Sequence, residues 1–165
     1  MSDAVANASP FNSALETGLR SLAILAEACP KPFDLQRIVY FDYLVVHSSD
    51  ADGPVSLHPS MPLRNGELLV RRGLIERGLL LFIGRGLIER NASGSGISYV
   101  AAEAAGPFLE CLASPYSRML RERASWAIET FGALDDNEIK SYFDARFERW
   151  TREFQALQFP PEPTL

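Results

Sequence analysis

The sequence predicts a mainly α fold with one small β-hairpin, and three observations carry that prediction. Apolar residues recur at three- and four-residue steps over most of the chain, the period of helices packed on one face. A single polar, glycine-containing stretch, Asn91-Ala92-Ser93-Gly94-Ser95-Gly96, is flanked by two short segments suited to strands. Proline or glycine at 30, 32, 84, 86 and 132 separates the periodic segments.

Taken in order, Ser9-Pro10 can open a first helix carrying Leu15, Leu19, Leu22, Leu25 and Cys29, which Pro30 and Pro32 end. Asp34 can cap a second helix through about Val46 that is apolar on nearly every side and so expected to be central. Residues 47–63 read as a loop, long for a compact domain and therefore expected to be functional or mobile. A third helix is expected over about Glu67–Arg85, weakened by Gly73 and Gly78. Its end, Leu79-Leu80-Leu81-Phe82-Ile83, is apolar all round and expected to be buried. Gly86–Arg90 and Ile97–Val100 are expected as strands about a flexible tip at 91–96, and Glu103–Ala113 as a helix. Tyr116–Phe131 gives a further helix, ended by Gly132. Asp135 with Glu138 spells a capping box, and Leu134 with Ile139 a hydrophobic staple, for a last helix that stops before Pro160.

This order is that of a winged helix-turn-helix. The expected architecture is a winged-helix-like core followed by two C-terminal helices. Residues 1–9 read as a disordered leader, 10–113 as the winged-helix-like domain, 115–158 as a C-terminal helical hairpin and 159–165 as a Pro-rich tail. The stretch Leu80–Ala102 is similar to the third helix and wing of MarR-like regulators. Yet about 17 residues separate the second and third helices, where a compact helix-turn-helix has three or four. The third helix is also too apolar to lie in a DNA groove. The hexapeptide Arg-Gly-Leu-Ile-Glu-Arg occurs twice, at 72–77 and 85–90, with no wider self-similarity to make it a structural repeat.

Composition bounds the function. The chain has 165 residues, 47% apolar and 22% charged, enough for one soluble domain with its own core. Its net charge of -5 argues against a general polyanion binder. That average hides an asymmetry: residues 64–90 hold six arginines against three glutamates, so this segment is +3 and the remainder is -8. Arginine outnumbers lysine 14 to 2 and favours planar contacts with carboxylates or phosphates. Arg71, Arg72, Arg85 and Arg90 are the candidate contacts to DNA or to an acidic partner. The N-terminus lacks a secretion signal and no apolar run is long enough for a bilayer, so a cytoplasmic protein without membrane attachment is expected. Cys29 and Cys111 then read as reduced, buried thiols, Cys111 as part of the core.

No catalytic signature stands out. His47, Asp50, Asp52 and His58 are a metal-like set, but their spacing matches no closed zinc motif, and hydrogen bonds that organise the loop are the expected role. Asp42 lies in the most apolar helix and needs a partner, for which an arginine of the third helix is the natural candidate. The aromatic stripe Phe143, Phe147, Trp150 and Phe154 is expected to pack on the preceding helix. Phe147, Trp150 and Phe154 are also candidates for a partner interface.

Several spaced strings carry a broader resemblance. Phe11 with Gly18-Leu19-Arg20, Asp34 through Leu44, His47-Ser48-Ser49-Asp50, Gly53-Pro54, Ser56-Leu57-His58-Pro59, Arg64-Asn65-Gly66-Glu67 and Val70-Arg71-Arg72 together resemble the middle component of bacterial ABC three-component systems, relatives of the Lamassu anti-phage systems. The resemblance spans about residues 10–150. It implies a small non-enzymatic subunit without a cofactor, seated between an SMC-like ABC ATPase and an effector, often a nuclease, in an assembly that senses foreign DNA. It carries over no catalytic residues. The rival expectations are a winged-helix transcription regulator and a small hydrolase using the 47–58 loop.

Overall fold

The computed structural model describes residues 13–59 and 67–158, with 67, 69 and 150–158 described by their backbone alone. The expected leader, the Ser9-Pro10 start, the end of the 47–63 loop and the tail lie outside the described residues. The described chain runs α1 (Ala14–Ala28), α2 (Leu35–Val46), a 3-10 turn (Ser48–Ala51), α3 (Glu67–Gly84), β1 (Ile88–Ser93), β2 (Gly96–Ala101), α4 (Ala105–Glu110), α5 (Pro115–Phe131) and α6 (Asp136–Gln158). It is mainly helical with one small antiparallel hairpin.

Side-chain caps set the helix starts. The Ser13, Asp34 and Ser114 side chains accept from the backbone N–H three residues on, at α1, α2 and α5 respectively. Before α6 the capping box closes in both directions, Glu138 N–H to Asp135 Oδ1 and Asp135 N–H to Glu138 Oε2, each 2.8 Å. Helix α3 ends in a Schellman arrangement. Gly86 N–H bonds Ile83 O, Leu87 N–H bonds Phe82 O, and Gly86 has φ +71°, which L-residues with a Cβ rarely adopt.

Strands β1 and β2 pair from Ile88↔Ala101 to Ser93↔Gly96 around a two-residue Gly94-Ser95 turn. They are longer than expected, because the ladder continues through most of the segment expected as a flexible tip. Between α1 and α2, Phe33 pairs with Tyr99 through two backbone bonds of 3.0 and 2.8 Å. Helix α4 is shorter than expected.

One hydrophobic cluster joins all these elements, with α2 at its centre: nine of the eleven residues Leu35 and Arg37–Val46 belong to it or, as Asp42, to its polar heart. Helices α1 and α3 cross closely. A Cβ on Gly18 would collide with Phe82, and one on Gly78 with the α1 backbone at Gly18. Helix α5 packs on α1 and α2, and α6 on α2. The described part of the aromatic stripe of α6 packs onto α2 rather than onto the preceding helix: Phe143 stacks on Tyr40 at 4.5 Å and meets Tyr43 edge-on, while α5 is met by Tyr142, outside the stripe, at 5.0 Å from Phe131.

Two burial expectations are corrected. Both cysteines are exposed and free. Cys29 and Cys111 each sit one residue past a helix end, where the side chain leaves the packed face. The greasy end of α3 is not buried all round either. Leu79 and Phe82 are buried, Leu81 and Ile83 half-buried, and Leu80 is 66% exposed, because α1 covers only one side of the helix.

Candidate functional site

Three helices each send one charged side chain into the core. Asp42 of α2 is fully buried. Arg20 of α1 donates Nε to Asp42 Oδ1 at 2.7 Å and Nη2 to Oδ2 at 3.4 Å, and Arg71 of α3 donates Nη1 to Oδ2. Arg20 is itself 1% exposed. Arg71 is the partner expected from the third helix. Arg20 is an addition, and its trace in the sequence is a lone cation between Glu16 and Glu27 in an otherwise small and apolar stretch.

Burial alone would raise the Asp42 pKa, but attraction and hydrogen bonds from Arg20 and Arg71 outweigh it and hold the carboxyl at about 2. Burial works against the Arg20 charge as well, and the Asp42 carboxylate reverses this, so its pKa is raised. Both histidines of the loop flank this cluster. Burial, with Arg71 beside His47 and Arg20 beside His58, lowers each imidazole to about 4. The His47 ring lies tilted against Tyr43 at 4.9 Å, and His58 Nε2 lies 3.3 Å from the Tyr116 hydroxyl. An ionised Asp42 held by two guanidiniums, with two neutral imidazoles beside it, makes the polar heart of the core.

The 47–59 segment is tied down. Tyr43 donates to Asp50 at 2.7 Å, Ser48 to Pro54 O at 2.9 Å, Arg123 Nε to Val55 O at 2.8 Å, and Arg146 to Asp52 at 3.0 Å. Gly53 lies under Trp126, whose indole leaves no room for a Cβ. The expected loop-organising hydrogen bonds are therefore present. Among the described residues, no group of three or more His, Cys, Asp and Glu side chains is placed to hold a metal ion.

The other candidates scatter. Arg71 points inward and is taken up by Asp42, so it belongs to the cluster and not to a surface. Arg72 bonds Gln36 at 3.1 Å, while Arg85 and Arg90 are exposed. Phe147 is half-buried, 6.1 Å from Tyr43 and 5.5 Å from Phe143. The side chains of Trp150 and Phe154 lie outside the described residues. A separate polar cleft of about 390 Å³ opens between the hairpin tip and the starts of α2 and α6. Its buried Arg37 bonds Gly132 O, Leu134 O and Asp136, and so fastens the α5–α6 turn.

Five of the strings that carried the resemblance meet in this centre, through Arg20, Asp42, His47, His58 and Arg71. A family model for the ABC-three component (ABC-3C) system Middle Component 2 matches residues 10–153. The chain belongs to this family. No curated protein and no solved structure matches it. A Middle Component 2 chain is by its family one part of a multi-component ABC system, so it has partners. Among the described residues, no helix is long and apolar enough to cross a membrane.

Proposed function

We propose that this Middle Component 2 chain is a non-enzymatic adaptor in a Lamassu-like anti-phage complex of the cytoplasm. It bridges an SMC-like ABC ATPase and an effector subunit, a nuclease in class, in an assembly that senses foreign DNA. The observation that carries the reading is the family match over residues 10–153, nearly the whole chain. The Asp42 cluster supports it, because its polar groups are spent on one another and join three helices. Coexpression with the two neighbouring reading frames tests it: the chain should copurify with an ATPase in fixed stoichiometry. A stable monomer that binds neither neighbour sinks the reading.

A winged-helix DNA-binding regulator is the second reading. The Phe33–Tyr99 pairing favours it, since it adds the short strand between the first two helices of that fold. Against it, the outward face of α3 presents Val70, Gly73 and Leu80 where a reading helix needs polar side chains. Gel-shift assays on random duplex should show no sequence preference. A selected palindromic target would overturn the adaptor in favour of the regulator.

A further inference from the structure

Helix α3 contains glycines of two kinds. Gly78 is required by the fold, since a Cβ there would strike the Gly18 backbone of α1. At Gly73 and Gly84 a Cβ would meet nothing within 4 Å, and neither glycine has a positive φ. Nothing within the chain demands them, although a glycine inside a helix lowers the folding equilibrium about fivefold relative to alanine. Both lie on one stripe, Val70, Gly73, Arg77, Leu80 and Gly84, spaced three, four, three and four residues apart. This is the spacing of a helix–helix seam. The stripe points away from the face that carries Ile75, Gly78, Leu79 and Phe82 into the core. Val70 and Leu80 are each 66% exposed, on either side of the exposed Arg77.

We propose that this outward face of α3 is the docking site for an acidic amphipathic helix of a partner protein. Its apolar residues cover Val70 and Leu80, and its backbone closes over Gly73 and Gly84. The charge of the surroundings selects the occupant. Arg77 lies within the stripe, Arg72 and Glu76 flank it on the helical wheel and Arg85 follows its end, in the stretch 64–90 that holds six arginines against three glutamates. A nucleic-acid backbone would meet these arginines but offers nothing to two aliphatic side chains standing between them. A helix satisfies both, with apolar side chains at the centre and carboxylates at the rim. The proposal rests on the adaptor reading and names the surface through which one subunit is held.

The test uses the full chain coexpressed with its two neighbouring subunits and compares wild type with Gly73→Leu and Leu80→Glu. Both variants should fold alone, with the melting temperature of Gly73→Leu at or above wild type, yet capture the partner about tenfold less well or worse. A photo-cross-linking residue at position 77 should mark an acidic helical segment of that partner. Undiminished capture by both variants, alongside capture by wild type, overturns the docking face and leaves the adaptor standing. Capture of nothing by wild type overturns the adaptor and the docking face with it. Conversion of a wild-type dimer to a monomer by Leu80→Glu assigns the face to a second copy. Duplex binding that is lost in Arg77→Ala but kept in Leu80→Glu assigns it to nucleic acid.

Discussion

The same six residues, Arg-Gly-Leu-Ile-Glu-Arg, are helical at 72–77 and a turn leading into a strand at 85–90. In α3 Gly73 is an ordinary helical residue, whereas Gly86 has φ +71° and closes the end of the same helix. Burial is nonetheless alike at the last three positions of the two copies. Ile75 and Ile88 are 0% and 2% exposed, and the Glu-Arg pair after each is exposed. The neighbours decide the conformation. Arg71, just before the first copy, ties α3 to Asp42. Before the second copy stands Gly84, and after it a strand that finds a ladder partner in β2. Local sequence here fixes which side chains go inside, and tertiary contacts fix the backbone that takes them there.

The comparison can be broken most severely at Asp42. Asp42→Asn strands the buried Arg20 guanidinium and the half-buried Arg71 and should cost about 3–5 kcal/mol in denaturant unfolding, with α3 exchanging amide protons faster than β1. Next come Ile75→Ala and Ile88→Ala, each expected to cost about 3 kcal/mol. Near-equal losses show that burial outweighs secondary structure, while a much smaller loss at Ile88 contradicts this. The glycines should then part in sign. Gly86→Ala should destabilise by about 1–2 kcal/mol because of its left-handed backbone, and Gly73→Ala should stabilise the isolated chain by up to about 1 kcal/mol. Thermal melts of the two variants read both at once.

The smallest effect concerns pH. His47 and His58 titrate at about 4 in the fold, below the ordinary value of about 6.5. The unfolded chain therefore binds more protons between these values, and stability should fall as pH drops through that window. Asp42 adds its own loss only below about 4, because its carboxyl is held at about 2. Lowering the pH from 7 to 5 should reduce the melting temperature by a few degrees, and substituting His58 by Asn should blunt the change. The opening should appear in α2 and the start of α3 before the hairpin.

Signals complete within a few residues were legible in the sequence. Asp34 and the Asp135–Glu138 box set the starts of α2 and α6, and the isolated acid Asp42 announced its need for a cation. Signals that depend on another element were not. Arg20 is paired with a residue 22 positions away on the neighbouring helix α2. Leu80 looked buried by composition, yet exposure follows from where α1 stops covering α3. The hairpin looked shorter than it is because Asn91, Ala92 and Ser93 have weak strand preference, which pairing with Ile97 and Ser98 overrides.

The glycine beneath Trp126 also lets two stretches far apart in sequence close on each other. Gly53 and Val55 are gripped by α5, and the chain they belong to runs straight out of α2. The strap therefore fastens both C-terminal helices, α5 through Trp126 and Arg123 and α6 through Arg146, to the segment that leaves the helix bearing Asp42.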